Sequence, residues 1–76
     1  MIRPEQIRMA RAGLGWTLND LAEKAGVNPN TISRYEAGRD VMAGTLRKVA
    51  DALREAGVNL IDNAEGIGIL LRRKEP

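Results

Sequence analysis

Residues 16–39 constrain the fold most, because they carry the start signals of two short helices with little chain between them. Thr17 can cap the first helix, and Asp20, three residues further on, is its capping-box partner. Asn28 can cap the second helix. Gly26 falls where the first helix must end in a left-handed backbone conformation, which glycine adopts without strain. A connection this short makes the two helices cross steeply.

The second helix has a polar face that suits contact with double-stranded DNA. Ile32, Tyr35 and Glu36 share the side that we expect to face the core. The opposite side mixes an arginine, an amide and a hydroxyl, which can hydrogen-bond base edges and phosphates in a major groove. Together with the steep crossing, this face indicates a helix-turn-helix. The base contacts that we predict are Pro29, Asn30, Ser33 and Arg34.

Three of these residues have distinct chemistries toward bases. The guanidinium of Arg34 can bond both O6 and N7 of a guanine, and the amide of Asn30 can do the same for an adenine. Pro29 has no side-chain donor, so its contact would be apolar, for example with a thymine methyl group.

A second set of residues is predicted to contact DNA phosphates. Thr17 and Asn28 have helix capping as their alternative role, and Arg39 has the alternative of a solvated charge in the loop after the second helix. Backbone N–H groups near residues 43 and 44, where another helix opens, could hold a further phosphate. The predicted phosphate contacts are Thr17, Asn28, Thr31 and Arg39.

Two charges on apolar helix faces are expected to pair. Pro4 opens a helix in which Ile7 and Ala10 begin an apolar stripe, and Arg11 lies close to that stripe. Glu36 is equally out of place on the inner side of the second motif helix. Because each lone charge near a core is costly, we predict a structural ion pair between Arg11 and Glu36 rather than two side chains that reach water.

The last third of the chain changes from helix to strand patterns. Apolar spacing predicts a long helix over residues 45–56. Two apolar runs, 58–61 and 67–71, flank a turn predicted at 62–66, which is typical of a β-hairpin. Gly68 inside the second run either weakens the strand or marks a bulge.

Composition excludes several functional classes. The 76 residues contain no cysteine and no histidine, which removes disulfides, thiol chemistry, cysteine zinc sites and the commonest general base. We therefore predict no enzyme, no cofactor and no metal site. No apolar run approaches the length of a membrane span, and a reducing cytoplasm is the simplest compartment. A net charge of +2 is compatible with DNA binding if the arginines cluster.

The segments L-A-E-K-A-G-V and T-I-S-R-Y-E-A-G-R resemble the Cro and phage-repressor type of helix-turn-helix, the XRE family. The resemblance covers about three quarters of the chain. It implies a mainly helical, lambda-repressor-like DNA-binding domain of about four helices, here followed by a short C-terminal β-hairpin, and it implies the pairing of Arg11 with Glu36. Many members carry a phosphate-binding glutamine where this chain has Leu18, and the better-known phage repressors continue with a helix instead of a hairpin.

These expectations give one function and one alternative. The chain is expected to be a transcriptional regulator, a repressor, in which residues 1–57 form the helix-turn-helix domain and 58–76 a hairpin extension of it. As a homodimer on an inverted repeat, it would place the helix 28–37 of each subunit in successive major grooves about 34 Å apart. The alternative is a protein-interaction module, such as the antitoxin of a toxin–antitoxin pair, whose hairpin binds a protein partner.

Overall fold

Four helices and one two-stranded hairpin follow one another along residues 1–73, the part of the chain that the computed structural model describes. This order confirms the expectation of a mainly helical fold that ends in a hairpin. The predicted hairpin segment reaches residue 76, so its last three positions lie outside the described residues. The elements are α1 Pro4–Leu14, α2 Leu18–Ala25, α3 Pro29–Glu36, α4 Ala43–Glu55, β1 Val58–Asn63 and β2 Gly66–Leu71.

The start signals of α2 and α3 act as predicted. Thr17 Oγ1 accepts a 3.0 Å hydrogen bond from the backbone N–H of Asp20, whose carboxylate accepts a 2.9 Å bond from the N–H of Thr17. Asn28 Oδ1 accepts from the N–H of Asn30 at 2.8 Å. Gly26 ends α2 with φ 70°, in the left-handed region. These local contacts set where α3 starts relative to α2.

The core lies where all the elements meet. Helix α2 packs against α3 and α4, α1 packs against α3 and β2, and β1 packs against α4. Within residues 1–73 no helix is long and apolar enough to cross a membrane. The buried apolar residues are Ile2, Ile7, Ala10, Leu21, Ala22, Ile32, Leu46, Val49, Ala50, Ala52, Leu53 and Val58.

The hairpin packs on the helices, and one buried side chain fastens it. Gln6 of α1 is 1% exposed, and its Nε2 donates to the carbonyl oxygens of Ile61 at 2.8 Å and Gly68 at 3.1 Å. Arg3 adds an exposed ion pair to Asp62, with 3.1 Å between Nε and Oδ2. A two-stranded hairpin is marginally stable alone, so these contacts make it part of the helical unit.

Two details of the hairpin correct the sequence prediction. The turn is not 62–66: Asn63 pairs with Gly66, which leaves two residues between the strands. Asp62 belongs to β1, where it pairs with Ile67 and its carboxylate accepts from Arg3. Asn63 Oδ1 closes the turn by accepting from the N–H of Glu65 at 2.9 Å. Gly68 does not mark a bulge, because it stands opposite Ile61 in an unbroken register.

Two helix bounds also differ slightly from the prediction. Helix α4 begins at Ala43, before the predicted start at Thr45, and α3 covers Pro29–Glu36 rather than 28–37. The difference in α3 arises because Asn28 and Ala37 are its N-terminal and C-terminal capping residues, with non-helical roles at the two ends.

Candidate nucleic-acid interface

One side of α3 faces solvent with the side chains predicted to contact bases. Asn30, Ser33 and Arg34 are exposed and Pro29 is half-buried, whereas Ile32 on the opposite side is buried in the core. The helix therefore presents an amide, a hydroxyl and a guanidinium to solvent from a rigid backbone. These groups can donate to and accept from base edges in a major groove.

Two grooves flank α3 and divide the predicted contacts between them. Pro29, Asn30 and Ser33 line one groove together with Thr17 at the start of α2; we call it the α2–α3 groove. The other, the α3–α4 groove, contains Thr31 and Arg34 from α3 and, from the following segment, Asp40, Val41, Met42 and Thr45. The amide and the hydroxyl are therefore directed to one side of α3, and the arginine to the other.

Asn19 is a polar residue of the α2–α3 groove that the sequence analysis missed. It is exposed and lies beside Leu18 in the lining of this groove. The signal was present in the sequence, because an amide next to Leu18 in the first turn of α2 can reach the same edge of the motif. Asn19 thus offers the donor that Leu18 lacks.

Capping leaves Thr17 and Asn28 free to donate hydrogen bonds. Each uses a side-chain oxygen as the acceptor in its cap. A threonine hydroxyl keeps its proton as a donor, and an asparagine keeps two amide N–H donors. Both residues are exposed, so the capping role and the phosphate role are chemically compatible.

The start of α4 offers uncapped backbone N–H groups to an anion. Arg39 is exposed in the loop before it, and within the described residues α4 has neither a capping side chain nor an acidic residue in its first turn. Ala43 and Gly44 at that end are exposed. The free N–H groups and the helix dipole there favour an anion.

Arg11 and Glu36 join α1 to α3 through a two-pronged ion pair. Nε and Nη2 of Arg11 each lie 2.9 Å from a carboxylate oxygen of Glu36, and Arg11 Nη1 also donates to the carbonyl of Trp16 at 3.4 Å. The hydrogen bond to Glu36 raises the pKa of Arg11, and burial opposes this in part. The side chains are 21% and 10% exposed, so the pair is largely shielded from water.

Arg8 and Tyr35 hold α3 from two further points that the sequence analysis did not identify. Arg8 Nη1 donates to the carbonyl of Glu36 at 2.6 Å, where α3 ends. Tyr35 Oη donates to the carbonyl of Ile2 at 2.7 Å, and burial is the main cause that raises its pKa. Tyr35 and Trp16 are partly buried against the core, as expected of packing aromatics rather than stacking platforms.

Known proteins are similar to the part of the chain that carries this candidate interface. A family model described as "Helix-turn-helix" matches residues 7–56, which leaves the hairpin outside the match. Two archaeal relatives are both named "Putative HTH-type transcriptional regulatory protein". The one from Archaeoglobus fulgidus is 34% identical over 58 residues, which are 76% of this chain and 19% of the relative. The one from Haloarcula marismortui is 33% identical over 69 residues, 87% of this chain and 21% of the relative. The chain thus spans about a fifth of the length of these relatives.

Proposed function

The chain belongs to the helix-turn-helix family of the Cro and phage-repressor type, the XRE family, and on that premise we propose that it is a sequence-specific transcriptional regulator that binds double-stranded DNA. The exposed side of α3 carries this proposal, because it presents an amide, a hydroxyl and an arginine on a helix fixed to the core. The names of the archaeal relatives support the same function. They do not favour the alternative of an antitoxin-like interaction module.

In the proposed complex α3 is the recognition helix and enters the major groove. Arg34 bonds a guanine on the side of the α3–α4 groove, and Asn30 bonds an adenine on the side of the α2–α3 groove. Ser33 and Pro29 complete the base contacts with a hydroxyl and an apolar surface. Recognition would therefore extend over adjacent base pairs on both sides of the helix axis.

Phosphate contacts flank the recognition helix in this proposal. The free donors of Thr17, at the start of α2, and of Asn28, at the start of α3, meet one strand. Asn19 compensates for the apolar Leu18. Arg39 and the N-terminus of α4 meet the other DNA strand, and Thr31 adds a contact from the α3–α4 groove. Contacts of this kind fix the register of a helix in the groove without reading sequence.

We further propose that the regulator is a homodimer that represses transcription from an inverted repeat. The outer face of the hairpin supports a self-associating surface, because Leu70 is 53% exposed and Ile61 38%, with the small Gly68 directly opposite Ile61. Exposed apolar side chains on a short open sheet favour pairing with a second copy. Two recognition helices then bind half-sites about 34 Å apart, and the bound dimer blocks polymerase.

The experiment that tests the proposed function is selection of duplexes from a random pool, followed by fluorescence anisotropy at several salt concentrations. We expect a palindromic winner that binds at least about a thousandfold more tightly than its scramble, with affinity that falls as salt rises. Arg34→Ala should lose selectivity at one base pair of each half-site. Arg54→Ala, which removes an equal charge from the far end of α4, is the matched control and should keep it. If the selection enriches no sequence, that result would contradict DNA recognition.

A further inference from the structure

A single peptide group near the start of the chain is held at both of its polar ends. The carbonyl of Ile2 accepts the hydroxyl proton of Tyr35 at 2.7 Å, and the N–H of Arg3 donates to Gln6 Oε1 at 2.8 Å. These two atoms belong to one peptide bond, which is planar and rigid. The two hydrogen bonds are therefore joined by a single rigid unit.

The same glutamine holds both strands of the hairpin. Its Nε2 donates to the carbonyls of Ile61 and Gly68, which stand opposite each other in the register. One buried side chain thus uses its oxygen toward the N-terminal peptide and its nitrogen toward the hairpin. Only an amide has an acceptor and two donors on one planar group, so the site requires glutamine chemistry.

These bonds form a continuous connection from α3 to the hairpin. Tyr35 leads to the Ile2–Arg3 peptide, the peptide leads to Gln6, and Gln6 leads to β1 and β2. The bonds are partly buried, where an unpaired polar group is costly, so the connection has one well-satisfied arrangement. Arg8 and Arg11 of α1 hold α3 at Glu36, so the connection through Tyr35 adds a separate constraint at another residue of α3.

We infer that Gln6 and Tyr35 are positioning residues that fix the orientation of the recognition helix relative to the hairpin. The inference rests on the proposed function, in which α3 reads DNA and the hairpin joins two copies. In such a dimer the angle between the hairpin and α3 sets how the two recognition helices meet successive grooves. DNA affinity then depends on a hydrogen-bond relay whose members touch no DNA.

The test is a double-mutant cycle on DNA affinity with Tyr35→Phe and Gln6→Met. Each change removes hydrogen bonds and keeps the side-chain bulk. Arg72→Ala is the matched control, because Arg72 also fastens the hairpin, through bonds to Asn59 Oδ1 at 2.8 Å and the carbonyl of Arg54 at 3.1 Å, but lies outside the relay. Affinity for the selected operator is measured well below each melting temperature, so that loss of stability alone leaves it unchanged.

We expect each relay variant to weaken operator binding about 2- to 10-fold, the factor that corresponds to one hydrogen bond. The double variant should lose no more affinity than the single variant that binds the operator more weakly, because one break already uncouples the relay. Tyr35→Phe and Arg72→Ala should instead multiply their separate effects. Unchanged affinity in the single variants, or multiplicative losses for Tyr35→Phe with Gln6→Met, would overturn the inference.

A second measurement needs neither DNA nor Gln6→Met. In Tyr35→Phe, the carbonyl ¹³C shifts of Ile61 and Gly68 should move, while that of Leu70, in the same hairpin but not bonded to Gln6, should stay. Unmoved shifts at Ile61 and Gly68 would overturn the relay. Failure of the wild-type protein to select any duplex would contradict the proposed function alone, and the carbonyl shifts would still decide the relay.

Discussion

At the scale of single residues, the ion pair between Arg11 and Glu36 is a strong local constraint on α3. Two 2.9 Å bonds in fork geometry fix both the position and the rotation of the carboxylate. Removal of one partner leaves the charge of the other unpaired in a site where water has little access. The free-energy cost of breaking the pair is therefore larger than the net stabilisation that the intact pair contributes.

Arg11→Met should lower the free energy of unfolding by about 3 kcal/mol, the low end of the range for broken buried pairs, because the Arg11 side chain is still 21% exposed. The double variant Arg11→Met with Glu36→Leu should recover much of this loss, since it leaves no unpaired charge. Urea denaturation of the three proteins measures both effects. A double variant less stable than the single one would refute this account.

Tyr35 gives the stability a pH dependence on the alkaline side. Its pKa is raised in the folded protein, chiefly by burial, with Glu5 and Asp40 raising it further and Arg3 opposing. Below the unfolded pKa of about 10, Tyr35 is protonated in both the folded and the unfolded chain, so its titration does not affect stability. Above it the unfolded chain loses its proton first, so stability falls as pH rises.

We expect wild-type stability to fall more steeply above about pH 10 than that of Tyr35→Phe, which lacks the titrating group. Chemical denaturation at a series of pH values above about 10 compares the two proteins, which differ in this one group. Parallel curves would mean that Tyr35 ionises equally in the folded and unfolded chains.

At the scale of elements, the start of α3 combines a structural role with a proposed binding role in one side chain. Asn28 Oδ1 caps the helix, while the two amide N–H groups of the same side chain can still donate to a phosphate. The two roles lie on different atoms of the same group. A substitution can therefore separate them.

Asn28→Asp should keep the cap and weaken DNA binding, because the carboxylate accepts from the N–H of Asn30 but has no donors and repels phosphate. Asn28→Ala should lose about 1 kcal/mol of stability as well. Thermal melts and anisotropy titrations of the three proteins measure the two roles. Undiminished DNA affinity in Asn28→Asp would remove Asn28 from the phosphate contacts.

The elements also mark how far sequence reasoning reaches. The caps at Thr17 and Asn28 could be predicted because each involves neighbours within three positions, and the exposed face of α3 follows from helical periodicity. The bonds of Gln6 could not, since their hairpin partners lie 55 and 62 residues away and glutamine is usually a surface residue. The division of the interface into two grooves depends on how α2 and residues 40–45 pack beside α3, which no local pattern specifies.

At the scale of the whole molecule, the helices and the hairpin divide the proposed work. Residues 7–56 match the family and carry the candidate interface, whereas the hairpin lies outside the match and exposes an apolar face. The face is small, so any dimer it forms is expected to be modest in affinity and sensitive to one charge.

Leu70→Glu should make the protein monomeric and weaken binding to the palindromic site far more than to a half-site. Met9→Glu places the same change on an exposed apolar residue of α1 and is the control; it should leave the oligomeric state unchanged. Analytical ultracentrifugation measures the change. A dimer that survives Leu70→Glu would locate the subunit contact away from the outer hairpin face.

The buried amide of Gln6 also has a consequence for synthesis on the ribosome. Gln6 is made 62 residues before Gly68, the partner of its second bond, which is about 3 to 12 seconds of translation at about 5 to 20 residues per second. During that interval Gln6 lacks the complete pair of hairpin carbonyls that its Nε2 bonds, so its buried site is not yet complete. The nascent chain therefore completes the site around Gln6 in one late step, after the second strand has emerged.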